Sequence, residues 1–427
     1  MKDSGIDWIG KIPDEWEIEK GKRIFAQRNE RGNTINLELL SPTQKYGVIP
    51  QTLYEELTTY SAVKLKEGTD LSQLKTVHKG DYCISLRSFQ GGFEYSKYEG
   101  VVSPAYQIFY AIKNIDECYY KYLFKDQTFI AKMNSFTMSL RDGKNISFSD
   151  FGNTYIPFPP LSEQTKIAGF LDKKCSEIDS IIEESKNSIE EYKAWKQSVI
   201  FEAVTGKNLS CKKKNSGIEW LGEIPETWEV QRFKCIIDSL EKGNGITKDE
   251  VFSDGDTFCV RYGEIYSKYD TSFENCFSKT FKDKIPVKKY FSNGDLLFVG
   301  TGELVEEIGK CIAYLGNEQC LAGGDIIIAK HKQNAKFLSY AMNSHYAQAQ
   351  KSCGKAKLKV VHISATEIGN VLLALPPLSE QESIAKFLDA KCAQIDSLIS
   401  EKQSLIKDLA EYKKSLIFEA VTGKRRV

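Results

Sequence analysis

The sequence predicts a mixed α+β chain in which two globular α/β domains are separated by two long antiparallel helices in a pseudo-two-fold arrangement. Three observations predict it. Two terminal blocks each occur twice. One of those blocks carries apolar residues at sustained helical spacing. The unlike middles between the blocks are made of short β-rich runs bounded by turn residues.

At 427 residues the chain has room for two to four domains. Ser4–Ile18 recurs as Ser216–Val230, with nine of fifteen positions identical at an offset of 212. Pro159–Lys207 recurs as Pro376–Lys424, with 29 of 49 positions identical at an offset of 217. The second middle is therefore five residues longer than the first. The middles, roughly 19–145 and 231–362, align poorly. Their surviving anchors are Gly80-Asp81 against Gly294-Asp295 and Ile146-Ser147 against Ile363-Ser364. The expected division is a first domain at 1–157, a first long helix at 158–210, a second domain at 211–374 and a second long helix at 375–427. One frame carrying two unlike contents suggests a recognition device with two targets.

Each helix follows Pro-Pro-Leu-Ser-Glu-Gln. Proline disfavours helix before it, and Ser162 is placed to cap the first turn. In the second copy Ser379 and Glu382 have capping-box spacing. Apolar residues then recur at Ile167, Leu171, Ile178, Ile182, Ile189, Tyr192 and Val199. The second series is Ile384, Leu388, Ile395, Ile399, Ile406, Leu409 and Leu416. Gly206 and Gly423 stand where a C-terminal cap belongs. About 44 residues at about 1.5 Å each make a rod of roughly 65 Å. A single apolar stripe needs a facing stripe. The duplication supplies one, so an intramolecular antiparallel pair is expected, with a coiled coil between chains as the alternative.

In the middles, Tyr82–Leu86, Tyr106–Tyr110, Leu296–Val299 and Asp325–Ala329 read as strands, and helical pieces are expected near 119–133 and 335–350.

Composition narrows the function. Hydrophobic residues at 41 % and charged residues at 27 % fit an ordinary soluble protein, and no apolar run is long enough for a membrane span. Met1–Gly5 lacks the apolar core of a secretory signal. The 11 cysteines are scattered and never spaced C-x-x-C, which suits a reducing cytoplasm and argues against a disulfide framework or zinc module. Lys+Arg and Asp+Glu each total 58, which argues against a simple basic nucleic-acid binder and leaves room for local basic faces or for a partner that supplies most of the phosphate contacts.

Catalytic signatures are weak or missing. Phe298-Val299-Gly300-Thr301-Gly302 matches a short S-adenosylmethionine-site pattern, but no D/N-P-P-Y/F loop accompanies it. Glycines turning out of a strand are the better reading. There is no G-x-x-x-x-G-K-[ST] loop. Glu184-Ser185-Lys186 lies within the helical rod and reads as a solvated face. His78, His331, His345 and His362 show no metal-ligand spacing. The chain is expected to recognise something and to do no chemistry.

Basic and polar residues cluster beside glycines in the middles. Arg87, Gln90, Arg141 and Lys144 are the candidate DNA contacts of the first, and Arg261, Lys310, Lys355, Lys357 and Lys359 those of the second. Arg and Gln can read base edges, whereas Lys mostly meets phosphate.

The whole arrangement resembles the DNA-specificity subunit of a Type I restriction–modification system. The matching residues are the two Pro-Pro-Leu-Ser-Glu-Gln blocks (159–164 and 376–381), each continuing to Ile-Ala-x-Phe-Leu-Asp, the Ile-Phe-Glu-Ala-Val-Thr-Gly-Lys endings (200–207 and 417–424), and the openings at 5–16 and 217–228. The resemblance covers essentially the whole chain. It implies that each middle is a target-recognition domain reading one half of a bipartite, asymmetric double-stranded DNA site. It further implies that the helices set the gap between the halves and dock two methyltransferase subunits. Leu171, Ile178, Ile182, Ile189, Leu388, Ile395, Ile399 and Ile406 are the helix positions expected to serve that spacing and docking. S-adenosylmethionine, ATP and Mg would bind the methyltransferase and restriction subunits, leaving this chain non-catalytic and without cofactor or metal. The opening segment is implied to lie beside the C-terminal helix end. Two alternatives stay open: a duplicated helical scaffold that assembles proteins without reading DNA, and an enzyme using the Phe298–Gly302 loop.

Overall fold

The computed structural model describes residues 1–31, 37–58, 60, 71–84, 92–136, 146–302, 304–355 and 360–427. The chain forms two compact units, one of Met1–Lys186 with Gln403–Val427 and one of Asn187–Lys402. Both are mixtures of helix and sheet, and the long helices contribute to both.

The first long helix is Leu161–Thr205, 45 residues, and the second is Leu378–Val421, 44 residues, matching the length read from the apolar spacing. Their caps lie two residues earlier than expected. The Pro160 carbonyl accepts the N–H groups of Glu163 and Gln164, so Pro160 takes the cap position and Ser162 lies inside the helix. Pro377 does the same for Glu380 and Gln381. The Ser379–Glu382 capping box does not form; the Glu382 carboxylate instead takes Lys386 Nζ at 2.7 Å. Proline's fixed φ places the chain at the helix entrance without a side-chain cap.

The far ends follow expectation. Gly206 and Gly423 both have φ +70°, and the N–H of Lys207 and Lys424 reach back to the carbonyls of Glu202 and Glu419. A Cβ on Gly206 would strike the Pro225 ring and one on Gly423 the Pro13 ring. The opening of each repeat therefore seats on the end of the other repeat's helix, within one unit each time. Lys424 Nζ also donates to the Ile9 carbonyl at 2.5 Å, so the opening segment does lie beside the C-terminal helix end.

The helix pairing is equally repetitive. In the first unit Lys413 bonds Asp179 at 2.7 Å; in the second Lys196 bonds Asp396 at 2.8 Å. Seventeen residues forward from 179 to 196 correspond to seventeen back from 413 to 396, so the pairing is antiparallel. Asp179 and Asp396 are repeat equivalents, as are Lys196 and Lys413.

Each unit builds one main sheet from its middle. In the first, the order is Phe25–Arg28, Gln107–Ala111, Tyr82–Ile84, Phe93–Tyr95, all antiparallel. In the second, Ile237–Lys242, Ile326–His331, Leu296–Val299 and Cys311–Tyr314 repeat that pattern, and Ser272–Phe273 adds a parallel edge. The first core is aromatic, with Phe25 set edge-on to Phe109 and Tyr120 at 5.5 and 5.2 Å. The second is mainly aliphatic.

Both surviving anchors have a structural reason. Gly80 and Gly294 adopt φ +95° and +87° in the turn before the central strand. In each, the following aspartate accepts a backbone N–H three residues back: Asp81 from His78 at 2.9 Å, Asp295 from Ser292 at 2.8 Å. Ser147 and Ser364 each close a capping box, with Asp150 and with Glu367. Replacing either serine by alanine is expected to cost about 1 kcal/mol in urea unfolding. An unchanged midpoint would contradict the caps' role.

Glu94, buried in the first sheet, takes Lys125 Nζ at 2.6 Å. Burial pushes its carboxyl up to about 7, against the pull of the ammonium. The folded state then holds this proton more tightly than the unfolded chain. The resulting stability is complete below the ordinary carboxyl range and is lost as pH rises through about 7. Glu94→Gln should therefore flatten the Tm–pH profile between pH 5 and 8, and a profile of unchanged slope would contradict this.

Candidate nucleic-acid interface

The residues of the Pro-Pro-Leu-Ser-Glu-Gln block join each long helix to its globular domain. Trp16 Nε1 donates to Glu163 at 2.5 Å, and Trp228 Nε1 to Glu380 at 2.8 Å. The Gln164 amide donates to the Pro159 carbonyl and accepts the N–H of Asp116, which caps helix Glu117–Leu123. Gln381 donates to Pro376 and accepts the N–H of Asn334, the cap of helix Ala335–Asn343. Two turns on, Asp172 binds Tyr122 and Lys121, and Asp389 binds Tyr340 and Lys336. The same bonds thus attach two unlike domains to two like helices.

Of the helix positions read from the sequence, Leu171, Ile178, Ile189, Leu388 and Ile395 are buried, whereas Ile182, Ile399 and Ile406 are half-buried. The apolar helix residues left exposed include the repeat equivalents Leu161 and Leu378, Ile181 and Leu398, and Trp195 and Tyr412.

Six of the nine residues named as candidate DNA contacts lie outside the described residues: Arg87, Gln90, Arg141, Lys144, Lys357 and Lys359. The other three have distinct surroundings. Lys310 Nζ donates to the carbonyls of Ile265 and Tyr269 at 2.9 and 2.7 Å, and burial pulls its pKa down. Lys355 Nζ donates to the His362 carbonyl and to Glu367 at 2.6 and 2.8 Å. Burial opposes ionisation of Glu367, yet its bonds to Lys355 and Ser364 hold it at about 2. Both ammonium groups tie loops of the second domain together.

Arg261 differs. It lines a cleft of about 850 Å³ whose wall includes Gly243, Gly245, Gly263, Gly323 and Gly324. Lys242, Lys248 and Lys268 share that lining with Arg261, against the two acids Glu264 and Asp325, so the cleft is locally cationic in a chain of zero net charge. Arg261 follows strand Thr257–Val260 and precedes helix Tyr262–Ser267. The three lysines stand apart in the sequence and come from separate elements, the strand Ile237–Lys242, the turn Lys248–Glu250 and the end of the helix Tyr262–Ser267, which the fold of the second domain brings together.

The Phe298–Gly302 loop has a packing role. Phe298 and Val299 are core residues, the Gly300 N–H bonds the Asp325 carbonyl, and Gly302 pairs with Val361. Among the described helices, none is long and apolar enough to cross a membrane.

Two stretches, 13–191 and 225–408, match the Type I restriction modification DNA specificity domain. Together they cover most of the chain, which belongs to that family. It is 26 % identical to the Type I restriction enzyme MjaVIII specificity subunit of Methanocaldococcus jannaschii, across 98 % of this chain and 94 % of that one. It is 24 % identical to the EcoKI specificity subunit of Escherichia coli, across 65 % of this chain and 59 % of that one. In fold it is similar to a chain from a study of complex assembly and conformational transition of the type I R-M system, with TM-score 0.74, 16 % identity and coverage of 97 and 100 %. The HsdS subunit from Thermoanaerobacter tengcongensis is also similar, with TM-score 0.57, 17 % identity and coverage of 97 and 98 %.

Proposed function

We propose that this chain is the sequence-reading, non-catalytic subunit of a Type I restriction–modification complex. Each globular domain reads one half of a bipartite, asymmetric DNA site, and the helix pair sets the gap. The observation that carries this reading is the contrast between like helices, attached by identical bonds, and domains whose sequences diverge. The duplication repeats the frame and varies what it holds. Two reading heads on one frame gain effective concentration once the first has bound. Unlike heads give an asymmetric site, in contrast to the palindromes of true dimers. A chain without net charge can fill this role if partner subunits share the phosphate contacts.

The partners proposed are double-stranded DNA, two methyltransferase subunits and restriction subunits, in the cytoplasm. The repeated exposed positions Ile181 and Leu398, with Trp195 and Tyr412, offer the same apolar surface twice, as two copies of one partner require. The nine candidate contacts remain proposals, with Arg261 foremost. Exchanging the second middle, residues 231–362, for that of a relative tests the function. One half of the methylated sequence should change while the other half and complex assembly persist. An unchanged site would favour the purely scaffolding role.

A further inference from the structure

We infer that the cleft around Arg261 is a base-reading subsite of the second domain, in which the guanidinium meets a guanine edge in the major groove; this rests on the DNA-recognition reading above. The glycines of the cleft divide into two kinds. Gly243 is required by the fold, because a Cβ there would strike the Gly323 carbonyl oxygen at 2.3 Å, and a Cβ on Gly324 would press on the Gly245 backbone at 3.0 Å. Gly245 and Gly263 are not so constrained. A Cβ on either would meet nothing within 4 Å, and neither has positive φ. The chain itself gives no reason for a missing side chain at these two exposed positions, whereas a surface that must approach a groove closely does.

Arg261 stands among them with its donors uncommitted. Its side chain runs past Gly323, its Nε is buried without an acceptor, and its Nη2 is 3.9 Å from Glu264 Oε1, beyond hydrogen-bond reach. Glu264 is otherwise engaged: Oε2 accepts the Arg261 backbone N–H at 2.9 Å, and Oε1 accepts the Ser278 hydroxyl. The carboxylate thus braces the arginine's backbone and leaves its fork free. Arg28 of the first domain shows the opposite case, with its fork spent on Asp81 at 2.7 and 3.1 Å. A free fork matches the paired O6 and N7 acceptors of guanine. Lys242 lies 3.8 Å from Asp325, and Lys248 has no ion pair among the described residues, so both can turn to phosphate.

The test maps methylated positions genome-wide in cells expressing the full chain with its modification subunits. Arg261→Gln should relax one position of one half-site roughly ten- to a hundredfold and leave the other half intact. Gly263→Leu, which adds a side chain into open space, should keep the wild-type Tm and lower methylation at least about tenfold at every site. An unchanged site in Arg261→Gln, or a uniform loss without altered preference, would overturn the inference. If Arg261→Gln fails to accumulate, full methylation by Gly263→Leu overturns it. A wild-type complex with no bipartite methylated sequence would instead refute the DNA-recognition reading itself.

Discussion

Replacing Trp228 by alanine is expected to destabilise the second unit by about 3–5 kcal/mol, the range for emptying a large aromatic site in a core. The indole is fully buried, packs where Gly206 ends the first long helix, and donates to Glu380 at 2.8 Å. Its removal opens a cavity where the opening segment, the end of one helix and the start of the other meet. For a unit of this size the loss corresponds to roughly 6–20 °C in Tm. Trp16→Ala should do the same to the first unit, because Trp16 meets Gly423 and Glu163 in the same way. Calorimetry on the two variants checks this. A loss below about 1 kcal/mol in either would mean that the opening segments do not clamp the helix ends.

The second large effect is expected at Gln381 and Gln164. Each amide is buried and satisfies two backbone groups at once, a proline carbonyl before its own helix and the N–H of a cap residue in the globular domain. Leucine at either position fills similar space and satisfies neither group. Two stranded backbone groups at about 1–3 kcal/mol each give an expected loss of about 2–6 kcal/mol. Gln403→Leu, at an exposed site on the second long helix, should change stability by less than about 0.5 kcal/mol in the same urea titration. Equal losses at buried and exposed positions would contradict the amide's joining role.

These two predictions mark where the sequence could and could not be read. The duplication, the helix spans and the glycine ends at 206 and 423 depend on local pattern and on self-comparison, and both are printed in the sequence. The amide of Gln381 depends on Asn334, 47 residues away, and Lys413 finds Asp179 at a separation of 234. Nothing local in Pro-Pro-Leu-Ser-Glu-Gln says that its glutamine, and not its serine, makes the decisive bonds. The proline outcompeted Ser162 for the cap position for a local reason, since its fixed φ already starts the helix.

The candidate interface was less legible. A lysine's place in the sequence does not say where its ammonium points. Lys310 and Lys355 look like free charge beside glycine and histidine turns, yet both are held by carbonyl oxygens of their own domain. Lys242, Lys248 and Lys268 attract no notice in the sequence and meet around Arg261 only when the second domain folds. What the sequence did carry was the contrast between repeated ends and unlike middles.

That contrast is tested most directly by footprinting the assembled complex of this chain with its methyltransferase subunits on DNA that carries the methylated site. Two short protected tracts of unrelated sequence, separated by a gap whose bases can be changed freely, are predicted. A single continuous tract, a palindromic pair or no protection at all would contradict two unlike reading domains held on one helical frame.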